Sequence, residues 1–200
     1  MKLNTVIATL SLAAIFLAFT PVSKLEKISL DTKASKIEWF AEKVTGKHNG
    51  IVPLKSGTLE TKDGKLTGGS FIVNMPALEV TDLDGGMKEK LEGHLKSADF
   101  FGVDKFPEAK LVIKKVEYTD SKSGFNTKIM GDLTIKDKTN PISFPAMVKM
   151  EGRSVAAYGE LTIDRSKYDV RYGSSSFFDN LGDKAIYDEF TLKVSLGAKS

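Results

Sequence analysis

Gly57-Thr58-Leu59-Glu60, then Lys62-Asp63-Gly64-Lys65, then Leu66 to Met75 is the stretch on which the fold turns. Two runs of alternating apolar and polar residues flank an Asp-Gly pair, and that arrangement is the strongest short-range sign of an antiparallel hairpin. Outward from it the same period of 2 recurs. Thr127 to Ile135 and Ile142 to Met150 flank Asp137-Lys138-Thr139-Asn140-Pro141, a second hairpin connection. Ile37-Glu38-Trp39-Phe40-Ala41 is an earlier run, followed by a turn at Lys47-His48-Asn49-Gly50 and then Ile51-Val52. Ala109 to Tyr118, Ser154 to Ile163 and Glu189 to Leu196 bring the total to about eight strands. Antiparallel strands joined by short turns end as a sandwich or a barrel, and periodicity alone does not separate the two. Eight is about the number at which a barrel fills with side chains or holds one small ligand.

One segment breaks the alternation. Between Asp84 and Lys96, the residues Met87, Leu91, His94 and Leu95 recur at i, i+4, i+7 and i+8, which predicts an amphipathic helix of about three turns. Asp82 and Asp84 stand where acidic residues suit a helix N-terminus. Phe100, Phe101, Val103 and Phe106 then follow in quick succession before Pro107.

Composition removes whole classes of function. Over 200 residues, 41% are hydrophobic and 28% charged, enough to build a buried core. Lys and Arg number 29 against 26 Asp and Glu, with both signs interspersed, so no concentrated basic face for nucleic acid is indicated. Cysteine is absent, which excludes disulfides, thiolate nucleophiles and cysteine-based metal centres. Two histidines leave little material for a metal site.

At the N-terminus, Met1-Lys2 is followed by an uncharged run from Val6 to Phe19. A spanning helix needs about 20 apolar residues, so this shorter run has the layout of a secretory signal rather than of a stable transmembrane anchor. The expectation is a signal over residues 1–23, with the cut near Thr20 or Ser23, and one domain over residues 24–200.

Catalytic motifs are missing. Asp82-Leu83-Asp84-Gly85 begins like a calcium loop, but the position that requires glutamate is Gly93. Gly64 and Gly69-Ser70 have a phosphate-loop spacing with serine where lysine belongs, and neither G-x-S-x-G nor H-E-x-x-H occurs. His94 sits on the apolar face of the helix, where a histidine either packs or serves as a base. Arg165 and Arg171, within Asp164-Arg165-Ser166-Lys167-Tyr168-Asp169-Val170-Arg171, suit either an anionic head group or ion pairs with Asp164, Asp169, Asp179 or Asp188.

Four segments together resemble the YceI-like family, the lipocalin-like polyisoprenoid-binding proteins of bacteria. They are His94-Leu95-Lys96-Ser97-Ala98-Asp99-Phe100-Phe101 running on through Lys105-Phe106-Pro107-Glu108-Ala109; Gly131-Asp132-Leu133-Thr134-Ile135-Lys136 with Thr139 and Pro141-Ile142-Ser143-Phe144; Asp164 to Val170; and Leu30-Asp31-Thr32 with Ser35-Lys36-Ile37. The resemblance runs from about residue 28 to the C-terminus. It implies an all-β fold, an antiparallel lipocalin-like eight-stranded β-barrel with one amphipathic helix covering it. It also implies an apolar channel for a long isoprenoid or a fatty-acid-like amphiphile, held without catalysis or cofactor in an exported protein, periplasmic or secreted. Trp39, Phe71, Phe101, Phe144, Tyr168 and Phe178 are the candidates for lining the channel, and His94, Lys96 and Arg165 for meeting a polar head. After Val170 the chain departs from the commoner pattern, with a longer polar and aromatic insertion through Lys184. Two alternatives stand beside this reading: an enzyme using His94 on a small lipophilic substrate, and an interaction module using the Ser174–Lys184 loop. Aromatic residues around Phe177-Phe178 also offer a contact for a homodimer.

Overall fold

The first two long strands of the chain are each interrupted once, and these interruptions explain how the sheet closes. The computed structural model describes residues 24–120 and 124–198; the expected signal segment, residues 1–23, lies outside them. β1 (Leu25–Ser29) and β2 (Asp31–Lys43) form one strand broken at Leu30, and β3 (Gly46–Ile51) and β4 (Leu54–Lys62) form another broken at Val52-Pro53. Then come β5 (Lys65–Asn74), the two-residue β6 (Glu79–Val80), helix α1 (Gly85–Lys96) and β7 (Glu108–Tyr118). β8 (Thr127–Ile135), β9 (Lys138–Glu151), β10 (Ser154–Asp164) and β11 (Ile186–Ala198) complete the order.

Every long strand pairs antiparallel with its sequence neighbour. The first strand also pairs with the last: β1 lies against β4 while β2 lies against β11. Leu30 N–H donates to the Gly57 carbonyl at 2.9 Å, carrying the pairing across the break. A side chain at Gly57 would put its Cβ 2.4 Å from Leu30 Cδ1, so glycine is what lets the bend close. The sheet therefore closes as an up-and-down barrel. Its eleven strands reduce to the eight expected, since two are interrupted and β6 is only a short flap on β3.

Turn chemistry fits the β4–β5 hairpin. Asp63 and Gly64 have φ of 51° and 75°, the left-handed pair of a two-residue primed turn. Two other turns differ from expectation. The β8–β9 turn is Lys136-Asp137, with Lys136 at φ 55°, so Pro141 falls inside β9, as Pro145 does, instead of ending the connection. Lys47-His48-Asn49-Gly50 is strand, not turn, because Gly50 is needed opposite Trp39.

Strands that alternate in direction place the connections at two ends. Both long excursions, residues 75–107 and 165–185, leave and return at one end, the capped end. The first carries α1, whose Leu91 and Leu95 pack on the core while Met87 is 69% exposed. Asp84 takes the N-cap position without a side-chain bond. Asp82 instead accepts from Asn49 N–H at 3.0 Å and contacts His48 Nδ1 at 2.9 Å, tying the entry of the helix to β3.

Candidate functional site

Inward-facing side chains of the barrel do not fill it. They enclose a cavity of about 170 Å³, more than ten times the roughly 10–15 Å³ that one water molecule requires. Trp39, Phe71 and Phe144 line it along the strands, with aliphatic residues such as Leu59, Leu111 and Leu133 between them. At the capped end the lining is Leu95, Phe100 and Phe101, so the helix and the aromatic cluster after it form a roof. Trp39 is 7% exposed and lies across Gly50: a Cβ there would stand 2.7 Å from Trp39 Cε2 and 1.9 Å from the Glu79 carbonyl. A wall this apolar suits hydrocarbon and repels any polar group that brings no partner of its own.

Arg165 is the cationic side chain buried at this wall, and it is already occupied. Its Nε donates to the Tyr187 carbonyl at 3.1 Å, Nη1 to the Val170 and Tyr172 carbonyls at 2.8 and 2.9 Å, and Nη2 to the Ile186 carbonyl at 2.9 Å. Nη2 also stands 3.3 Å from Asp188 Oδ1, an ion-pair contact without hydrogen-bond geometry, and the guanidinium lies 5.4 Å from the Phe100 ring centre. Burial pushes the guanidinium pKa down, against the opposing pull of Asp188 and Asp164. Ser176 Oγ donates to the other Asp188 oxygen at 2.6 Å. Arg165 thus ties the 165–185 insertion to the start of β11. The ion-pair alternative for the arginine segment is the arrangement found: Arg165 with Asp188, and Arg171 with Asp169.

The other expected site residues divide. Trp39, Phe71, Phe101, Phe144 and Arg165 lie together on the cavity, whereas Tyr168, Phe178, His94 and Lys96 are not among its lining residues. Tyr168 is 2% exposed in the short 3₁₀ turn after β10, packed in the core. Phe178 is 50% exposed, because a turn on the Ser174 carbonyl carries it outward. His94 packs edge-on against Tyr172, ring centres 4.3 Å apart, and against Phe100 at 5.7 Å; its Nε2 is buried without a hydrogen-bond partner. Lys96 pairs with Glu92 one helical turn back, at 3.6 Å. Choosing by aromatic size missed the aliphatic lining, although the alternation of β4, β7 and β8 already separates inward from outward residues. Among the described residues no group of three or more His, Asp or Glu is placed to hold a metal ion.

Comparison with known proteins agrees with this architecture. The YceI-like domain family matches residues 29–198. A UPF0312 protein of Photorhabdus laumondii is 29% identical over 151 residues, covering 72% of this chain and 66% of the relative. A UPF0312 protein of Staphylococcus aureus (strain USA300) is 35% identical over 94 residues, 44% of this chain, and the matched stretch spans half of that relative's length. Among solved structures, Burkholderia cenocepacia BcnA superposes with a TM-score of 0.67 at 20% identity, covering 85% of this chain and 99% of that one. A polyisoprenoid binding domain from Saccharophagus degradans gives 0.64 at 14% identity, covering 88% and 99%. With its barrel, its helical roof and a family match over nearly the whole described chain, this protein belongs to the YceI-like family.

Proposed function

We propose that the protein holds the apolar chain of a long isoprenoid-like lipid inside the barrel, without chemistry, as a carrier or store in the cell envelope. The carrying observation is the apolar cavity of about 170 Å³, roofed by Leu95, Phe100 and Phe101. The family and the polyisoprenoid binding domain among its structural neighbours support the same reading. Each methylene removed from water contributes about 0.8 kcal/mol, so binding strength grows with chain length. Because Arg165 gives four N–H groups to carbonyls and has its charge balanced by Asp188, the cavity favours a chain with an uncharged end over a carboxylate. His94 lacks a hydrogen-bonded carboxylate and does not line the cavity, which favours binding over histidine catalysis. In this reading residues 1–23 direct export and residues 24–200 are the working domain.

Native mass spectrometry of protein purified from its own host's envelope, followed by solvent extraction, tests the proposal. A stoichiometric long-chain neutral lipid is the expected result. An empty protein that also refuses added isoprenoids overturns it.

A further inference from the structure

Along the boundary between β9 and β10 the hydrogen-bond ladder stops halfway. β9 and β10 are in register from Glu151↔Ser154 to Ala146↔Gly159 and no further. β10 nonetheless continues to Asp164, and on its other edge it stays paired with β11 as far as Asp164↔Glu189. The upper halves of β9 and β10 are therefore neighbours without a ladder.

Sequence explains the interruption. Val148 exchanges both of its backbone bonds with the Asn126 amide at 2.8 Å, and the Ala146 carbonyl accepts from Thr127 Oγ1 at 2.8 Å. Even-numbered residues of β9 thus turn their polar backbone toward β8, and by alternation the odd-numbered ones turn toward β10. Pro141 and Pro145 are both odd. Of the three N–H groups that residues 141, 143 and 145 would offer β10, only that of Ser143 exists.

The cavity reaches this seam. Phe144, Gly159 and Leu161 line it, and so does Tyr158, although its ring lies on the outer face, stacked on Phe125 with centres 6.3 Å apart. Phe144 closes the gap from inside, and Gly159 leaves it room, since a Cβ there would stand 3.0 Å from the ring. Pro141 and Pro145 are exposed on the outer lip, and Met147 just below them is 47% exposed. Below, the Ala146↔Gly159 pair bounds the gap; above, Asn140 Nδ2 donates to the Lys167 carbonyl at 2.9 Å. The five residues between span roughly 16 Å at about 3.3 Å each. Parting the strands over this stretch disrupts no ladder pair. The other unpaired stretch, between residues 31–36 of β2 and 54–57 of β4, is the bend of the first two strands, and it is pinned at its ends by Leu30 N–H on the Gly57 carbonyl at 2.9 Å and Val52 N–H on the Ile37 carbonyl at 3.0 Å.

We propose that this β9–β10 seam is the portal through which an apolar chain enters and leaves the cavity, with Phe144 as its gate. The proposal rests on the reading of the barrel as a lipid container. Because the chain has no cysteine, a cross-link can be placed at will. Ser143→Cys with Thr162→Cys puts two outward-facing thiols across the seam, closed by oxidation or by a short thiol-reactive cross-linker. Lys149→Cys with Ala156→Cys, partners in the paired half, is the control. Uptake and release of farnesol are followed by emission of Trp39, the single tryptophan. Cross-linking the seam should slow both rates by about tenfold or more. Affinity should hold within about twofold, and the control pair should change nothing. Phe144→Ala should accelerate both rates in the uncross-linked protein. Exchange at the unmodified rate through a fully cross-linked seam overturns the portal and points to the capped end, while leaving the container reading intact. Failure of the uncross-linked protein to take up farnesol or longer isoprenoids overturns the container reading, and the portal with it.

Discussion

Replacing Arg165 with methionine should loosen the capped end of the barrel before it unfolds the rest. The side chain is 3% exposed and donates to four carbonyls between 2.8 and 3.1 Å, with Asp188 as its counterion. A hydrogen bond from a charged donor contributes about 1.5–3 kcal/mol, so a plain sum over four would exceed the stability of many domains. That sum overstates the loss, because the freed carbonyls find water once the insertion lifts. Breaking a buried ion pair costs about 3–5 kcal/mol, and this is the magnitude expected here. For a chain of this size each kcal/mol moves the melting temperature by about 2–4 °C, so Arg165→Met should lower it by roughly 6–20 °C. Arg165→Lys keeps the charge but offers fewer donors in another geometry, and should fall between the two. In the double variant Arg165→Met with Asp188→Leu part of the loss should return, since no unpaired carboxylate remains. Thermal melts by circular dichroism, with hydrogen exchange to locate the opening at residues 165–188, are the assays. A melting temperature within about 2 °C of the parent for Arg165→Met would refute the clamp.

Other outcomes follow from the same geometry. His94→Phe keeps a ring against Tyr172 and Phe100 and removes a buried nitrogen with no partner, so stability should stay within about 1 kcal/mol and lipid uptake should be unchanged; lost function in a folded His94→Phe protein would reopen the catalytic alternative. Gly50→Ala forces a Cβ toward the Glu79 carbonyl and Trp39, and should cost about 1–3 kcal/mol while shifting the Trp39 emission, read by urea titration and fluorescence. Burial, with help from Asp164, pushes the Tyr168 phenol up to about 12. Its folded pKa is raised, so its contribution to stability is intact below the unfolded value of about 10 and is lost as pH rises through about 12; Tyr168→Phe should remove that late step from an ultraviolet titration. Asp82 has its carboxyl lowered overall: burial opposes the shift, but the Asn49 amide and His48 outweigh it. Its stabilising contact is therefore intact above about pH 3.9 and lost as pH falls through the lower folded value, which exchange of the Asn49 amide proton should report.

Much of this molecule is legible in its sequence. Period-2 alternation, the Asp63-Gly64 turn and the apolar spacing from Met87 to Leu95 are local properties, set by backbone sterics and by which face meets water, so hairpins and helix follow from the sequence alone. The family resemblance came from short runs, such as Asp164 to Val170, that survive in one dimension. Closure did not, because it depends on Leu30 reaching Gly57 and on β2 meeting β11, contacts between residues far apart in the chain. The fate of polar groups was equally hidden. Nothing near Arg165 in sequence shows that its donors end on carbonyls of residues 170–187, and His94 has the helical phase of a lining residue yet packs on Tyr172 from the insertion. Sequence determined which side of each strand is apolar. Only the tertiary structure decided which of those side chains face one another across a cavity and which carbonyls crowd around the one buried guanidinium, because both depend on where distant strands come to rest.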